Sequence, residues 1–467
     1  MISTPLDTRR RFGVQAERPA LRLSELMRAL SYALDMTEGQ PAGHCVRCCW
    51  IGMHIGQQIG LPDEELAQLY YVLLLKDLGC SSNAARICEL YLTDDLSFKR
   101  DFKWVGDSLP KALNFVLSHT GLKAGLAERF RAIVTACTQA EEISRELIET
   151  RCNRGAAIAR MLRFSEGVAS GIQNLDEHWN GSGKPEGKQG NEIPVYSRIA
   201  LLAQVVDVFF KSDGREAACA EIMRREGRWF DPGLVRAFQV VAKEDAFWGM
   251  LASPQIDQAI YTLAPGQAEV ALDDDYLDDI AAAFGQVVDA KSPYTSGHSA
   301  RVALFTDLIA EAMGFPMERR RWLKRGALLH DVGKLGVSNT VLDKAGQLDI
   351  SEWEAVRKHA AYTEEILLRI DAFSELARVA GAHHEKLDGT GYPRGLAGDA
   401  ISIETRIITT ADIFDAITAD RPYRAAVPID KTLQMMAKTV GTAIDPLCFE
   451  ALKAAIARMD RAAIESI

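Results

Sequence analysis

No apolar run in this 467-residue chain approaches the roughly 20 residues that a membrane-crossing helix needs. Arg9, Arg10 and Arg11 stand near the start, but no apolar stretch follows them to make a secretory signal, so a cytoplasmic address is the expectation. An excess of positive charge is also missing. Lys and Arg number 54 against 64 Asp and Glu, a formal net charge of −10. That argues against a general nucleic-acid binder, while leaving room for a local basic patch that holds a phosphate ligand. Beyond residue 450 there is length for about one more helix, with neither a helix-turn-helix pattern nor a basic excess, which excludes a DNA-binding regulator of that kind. Nor is there a disulfide framework. The nine cysteines are odd in number, with all but Cys448 lying before residue 220, so reduced thiols are expected. Cys45, Cys48 and Cys49 give a C-x-x-C-C spacing with no second Cys or His pair at a distance suited to zinc, and read as thiols packed on a helix.

What is present is an ordinary globular composition, 48% hydrophobic and 25% charged, on a chain long enough for two or three domains. Periodicity points to helices. Val302, Phe305, Ile309 and Met313 recur at helical spacing, and Leu323, Ala327 and Leu328 continue the pattern. The stretches 364–381, 402–419 and 430–439 behave alike, and no alternating strand run is convincing. Gly/Pro-rich runs at 181–194 and 388–398 read as loops, the first polar and expected to be mobile.

The chain also repeats itself. Residues 44–80 align without a gap on 298–334, so that His44 falls on His298, Arg47 on Arg301, Asp77 on Asp331 and Gly79 on Gly333. A second block, at an offset of 208 in place of 254, sets Asn180-Gly181-Ser182-Gly183-Lys184-Pro185 on Asp388-Gly389-Thr390-Gly391-Tyr392-Pro393. The first copy therefore carries 46 extra residues between the blocks. In it Lys76 replaces His330, Cys80 replaces Lys334, Leu175 and Asp176 replace His383 and His384, and Gln204 replaces Asp412. His44 and Asp77 alone are too few to hold a metal tightly, and His44 reads as a hydrogen-bonded core histidine. The first copy is expected to be a scaffold or sensor.

The second copy keeps His298, His330, Asp331, His359, His383, His384 and Asp412. Imidazoles and carboxylates in that number suit first-row metals. A carboxylate can bridge two ions, as two-metal phosphoester hydrolysis requires. Placed on different helices, such side chains converge in a bundle interior.

The runs His330-Asp331-Val332-Gly333-Lys334, His383–Pro393 and Ala411–Arg424 resemble the HD-GYP family of phosphohydrolases, a branch of the HD superfamily, closely from about 285 to 450 and weakly in the first copy. The resemblance implies an all-α fold of two tandem HD-type helical bundles, the first degenerate, and hydrolysis of cyclic di-GMP to pGpG or GMP. It implies that His298, His330, Asp331 and Asp412 hold one ion, and that Asp331 bridges to a second held by His359, His383 and His384. Iron or manganese is implied, with a hydroxide between the ions as nucleophile. It further implies that Lys334 neutralises phosphoryl charge, that Arg421 and Arg424 clamp phosphate oxygens, and that Tyr392 shapes a guanine-binding lip. Tyr294 stands where some members carry a Glu that supports a third metal; a phenol is a poor ligand, so a binuclear centre is expected.

The expected organisation is a tail over 1–20, a degenerate regulatory or scaffold domain over 21–262, and a catalytic domain over 263–467. The boundary is placed near Pro265, and a homodimer through the degenerate domain is one arrangement this permits. Hydrolysis of a hybrid cyclic GMP-AMP or another nucleotide, and a non-catalytic nucleotide sensor, are the competing readings.

Overall fold

Helix starts are written into the chain as capping residues. Asp273 accepts from the Tyr276 amide, Ser402 from that of Thr405, and Asp445 from those of Leu447 and Cys448 with Pro446 in the first turn. Asp349 and Glu352 form a reciprocal capping box. The computed structural model describes residues 22–105, 109–122, 124–263, 272–420 and 424–459. It is all-helical, the only β pairing among the described residues being isolated bridges. The expected tail, Pro265 and Arg421 lie outside the described residues.

The first copy comprises α1 (Leu23–Thr37), α2 (His44–Gln58), α3 (Asp63–Leu75), α4 (Ala84–Tyr91), α5 (Asp95–Phe102), α6 (Leu109–His119), α7 (Leu126–Thr138), α8 (Ala140–Met161), α9 (Glu166–Gln173), α10 (Val195–Arg224) and α11 (Pro232–Val241). Helices α12 (Asp245–Ala252) and α13 (Ile256–Leu263) follow. The second copy comprises α14 (Asp274–Asp289), α15 (His298–Ala312), α16 (Met317–Leu329), the single turn α17 (Asn339–Leu342), α18 (Ile350–Leu367), α19 (Ser374–Gly381), α20 (Ile403–Thr418), α21 (Ile429–Ala437) and α22 (Pro446–Arg458). The repeat seen in sequence is a repeat of helices: α2, α3, α8, α9 and α10 correspond to α15, α16, α18, α19 and α20. Even the caps recur. Asp35 accepts from the Cys45 amide at 2.8 Å, and Asp289 accepts from the Ser299 amide at 3.2 Å. The first copy's additional residues lie around α4–α7, which close over a small core of Ile87, Phe98, Val105 and Phe115.

Two expectations need correction. The stretch 364–381 is not one helix: α18 ends at Leu367 and α19 begins at Ser374, with a 3₁₀ turn over Asp371–Phe373 between them. The break lets α19 fold back on α18. The loop after Gly181 is tied down, since buried Glu177 accepts from the Glu186 and Gly187 amides and Asn180 bridges to Gln189.

The copies share a core. Leu26, Leu30 and Leu73 of the first copy belong to the same buried cluster as Phe284, Val332, Leu335 and Ile366 of the second. A second cluster, built on Val302, Phe305, Ile408, Phe414 and Leu452, lies within the second copy. The join between copies is also ionic: buried Lys291 meets buried Asp95 of α5 at 3.2 Å.

Candidate metal centre

Helix packing brings the sequence-selected imidazoles to one point. His298 opens α15, His330 and Asp331 directly follow α16, His359 lies on α18, His383 and His384 follow α19, and Asp412 lies on α20. Gly333 makes the assembly possible. A Cβ there would lie 2.0 Å from the His359 carbonyl oxygen, so only glycine lets the turn after Asp331 press against α18. Thr363 locks the contact, accepting from the Gly333 amide at 3.0 Å and donating to the His330 carbonyl at 2.8 Å.

Three imidazoles are oriented in the same way. His330, His359 and His383 each donate Nδ1–H to the carbonyl three residues back, those of Ala327, Val356 and Ala380, at 2.5–2.6 Å. The Nε2 atoms are thereby left bare and aimed inward. His298 is held differently, its Nδ1 lying 2.7 Å from Asp415, which also binds Arg301 at 2.6 Å.

Asp331 sits between two groups of donors. Its Oδ2 is 3.3 Å from the Nε2 of both His298 and His330; its Oδ1 is 3.4 Å from His359 Nε2 and 3.7 Å from His383 Nε2. On one side His298, His330 and Asp412 have ligand atoms within 4.8 Å of one another, and on the other so do His359, His383 and His384. Lys334 Nζ pairs with Asp331.

Electrostatics suit metal ligation. Burial pushes His359 down to about 4 and holds His383 and His384 well below the ordinary imidazole value, so those rings are neutral. Burial opposes ionisation of Asp331, but His330 and Lys334 beside it hold its carboxyl well below the usual range. Burial also opposes the His298 cation, yet Asp331, Asp415 and Asp412 outweigh it and raise that ring to about 9. His298 Nε2, His330 Nε2 and Asp331 Oδ1 are buried with no hydrogen-bond partner among the described residues. Buried nitrogen and carboxylate oxygen atoms left in that state and facing one another are the donor types that divalent cations take.

The same positions in the first copy do not. Lys76 Nζ is paired with Asp77, and both are fully buried. Arg151, which has the place of His359, pairs with Asp176, which has the place of His384. Lys103 sits 2.9 Å from Glu38, and Arg47 sits 2.5 Å from Asp207, which also accepts from His44. Side-chain cations already neutralise these carboxylates. Cys45, Cys48 and Cys49 are buried on α2, with Cys48 Sγ 3.8 Å from the His44 ring nitrogens.

The remaining predicted site residues divide. Tyr392 lies over the centre's edge, its ring 4.8 Å from that of His384, with Arg357 5.3 Å from the ring centre. Arg424 is turned onto the end of α20, donating to the Ile417 and Ala416 carbonyls at 2.7 and 2.6 Å, and does not reach the imidazoles. Tyr294 is exposed in a 3₁₀ turn. Sequence reasoning gave no role to Asp415, Arg301, Glu385 or Arg357. The repeat carried a signal for three of them, because Asp207, Arg47 and Glu177 are their counterparts. Buried Glu385 accepts from the Arg394 and Leu396 amides and so shapes the loop bearing Tyr392.

The profile of the HD domain family matches residues 122–234 and 283–447. The 3′3′-cGAMP-specific phosphodiesterase 3 of Vibrio cholerae serotype O1 is 59% identical over 434 residues, covering 93% of this chain and 94% of that protein. The cyclic di-GMP phosphodiesterase response regulator RpfG of Xanthomonas campestris pv. campestris is 36% identical over 169 residues, 36% of this chain and 45% of that protein. Among solved structures, that of a cyclic GMP-AMP specific phosphodiesterase of Vibrio cholerae superposes with a TM-score of 0.66 at 52% identity, covering 95% of this chain and 99% of that one. Among the described residues no helix is long and apolar enough to cross a membrane.

Proposed function

The chain belongs to the HD domain family, and we propose that it is a metal-dependent cyclic dinucleotide phosphodiesterase acting on 3′3′-cGAMP at the second copy. The observation that carries the reading is Asp331, a buried carboxylate with one oxygen toward His298 and His330 and the other toward His359 and His383. Such a residue would have one oxygen to offer to each of two ions. His298, His330 and Asp412 would hold one, and His359, His383 and His384 the other, with iron or manganese preferred. When bound, the ions supply Lewis acidity and a lowered water pKa.

The chain's own residues do the rest. Water adds to a phosphodiester phosphorus, the bond from phosphorus to the ribose 3′ oxygen breaks, and the proton ends on that oxygen, giving a linear dinucleotide with a 5′ phosphate. The Lys334 ammonium, beside Asp331, is positioned to neutralise phosphoryl oxygens as their charge grows. Tyr392 offers an aromatic face for a base, steadied by Arg357. Arg424, engaged with α20, is a positioning residue in this reading, and Arg421 remains the candidate phosphate clamp.

The relative matched across 93% of the chain supports 3′3′-cGAMP as substrate. Cyclic di-GMP, the substrate implied by the sequence resemblance, is the second reading, favoured by relatives that match only about a third of the chain. The test is a side-by-side assay of iron- or manganese-loaded protein, prepared anaerobically, with 3′3′-cGAMP, cyclic di-GMP and cyclic di-AMP, products being resolved by chromatography. Preferential opening of 3′3′-cGAMP that vanishes in His330→Ala/Asp331→Ala is expected. Faster turnover of cyclic di-GMP would overturn the substrate assignment, and no turnover of any with metal bound would overturn the activity.

A further inference from the structure

Helices α6 and α7 belong to the first copy's additional residues, and both are apolar on two sides. Inward, Phe115 of α6 packs into the small core with Ile87, Phe98 and Val105, and Ala136 of α7 is buried. Outward, Leu113 and Leu117 of α6, Leu122 of the turn between them, and Leu126, Phe130 and Val134 of α7 are exposed, Leu126 by 85% and Phe130 by 68%. The two rows adjoin, because Arg129 of α7 donates to the Thr120 and Leu117 carbonyls at the end of α6, at 3.1 and 3.0 Å. A helix apolar all round belongs in an interior. Single exposed apolar residues are ordinary on a surface, whereas a cluster of this size marks a contact.

Symmetry, area and charge all point to another molecule of this same chain as the partner. Leu126, Phe130 and Val134 recur every four residues, one stripe along α7. Laid antiparallel on its like about a two-fold axis at Phe130, the stripe sets Phe130 on Phe130 and Leu126 on Val134, so it is its own complement. At about 150–250 Å² for a whole large side chain, the exposed fractions of the six residues come to roughly 600 Å². With the residues around them the face approaches the about 800 Å² per chain that a stable dimer buries. The exposed charges on the same helices, Lys111, Glu128 and Arg131, are of both signs. Two like molecules therefore meet without the repulsion that a single-signed surface imposes, and no strongly charged partner is selected.

We propose that the outward face of α6 and α7 is the interface of a symmetric homodimer. None of the helices that carry the candidate metal ligands contributes to this face, so the degenerate half holds the pair together and leaves both metal centres outside the contact.

The test is size exclusion with light scattering on the full-length, metal-loaded protein at about 100 µM, above the µM-to-pM dissociation constants that interfaces of this area span. The mass should be twice that of the chain. It should fall to that of a single chain in Phe130→Glu and in Leu126→Glu, each of which buries unpaired carboxylates in the seam. Leu447→Glu, at a 68% exposed position on α22, should stay dimeric. All three side chains are exposed in the single chain, so the helical signal in circular dichroism and the metal content should match the parent. A monomeric parent would overturn the proposal and leave residues 1–21 or a different protein as the cover. A dimer that survives both substitutions in α7 would also overturn it, by placing the contact elsewhere. Assembly does not depend on the chemistry of the metal centre, so this reading and the proposed activity can each fail alone.

Discussion

At the scale of single residues, the two copies show the same fold-building contacts serving different ends. His44, Arg47 and Asp207 repeat the arrangement of His298, Arg301 and Asp415, so this triad organises the fold whether or not a metal follows. Asp415 orients His298, and Asp415→Asn should weaken metal binding about 10–100-fold while leaving the helical signal unchanged, as read by metal titration and circular dichroism. In the first copy Lys76 occupies the place of His330 and neutralises Asp77. Lys76→Ala should cost about 3–5 kcal/mol in chemical denaturation, because a buried carboxylate is left alone, and Lys76→Leu/Asp77→Leu should cost much less. Glu38 gives this region a pH signature. Burial alone would raise its pKa, but Lys103 beside it dominates and holds it at about 2. A depressed carboxyl stabilises the fold above its unfolded value and loses that contribution as pH falls. Acid titration of stability should therefore show a loss between about pH 4.5 and 2 that is absent in Glu38→Gln. The ligand types were legible because His and Asp stand out at these spacings. Arg151 was not, since an arginine replacing His359 resembles any surface arginine until the helices are packed.

At the scale of elements, the decisive device is the turn after Asp331. It delivers Asp331 to the centre by pressing on α18, and the missing Cβ of Gly333 permits this. Gly333→Ala should displace the His359 carbonyl, lose metal and abolish turnover, whereas Gly346→Ala, where a Cβ meets nothing within 4 Å, should behave as the parent. Helix positions were readable from periodicity, and α15, α20 and α21 begin and end within a residue or two of where it sets them. The break between α18 and α19 was not readable, because Leu367, Ile370 and Phe373 stay apolar through it and are buried on both sides. The contacts of Arg424 were unreadable for a related reason. A basic residue after the last Asp ligand matches a phosphate clamp in sequence, but the exposed carbonyls at the end of α20 claim its guanidinium first.

At the scale of the whole molecule, the copies are joined as one body with a shared core. Sequence showed the duplication and its worn half, but not that Asp95, inside the first copy's additional residues, reaches the second copy through Lys291 and the Asn339 amide. Such contacts have no counterpart in the repeat and follow from assembly alone. Asp95→Ala strands buried Lys291 at the join and should lower the thermal midpoint by several degrees while leaving metal content unchanged.

The central claim is that the second copy alone builds a centre around Asp331, while the first fills its own with side-chain cations. Metal content per chain, determined by mass spectrometry of the purified full-length protein, tests this most directly. About two ions per chain are predicted, lost in Asp331→Ala and retained in Asp77→Ala. Four ions per chain, or equal loss from both variants, would contradict it.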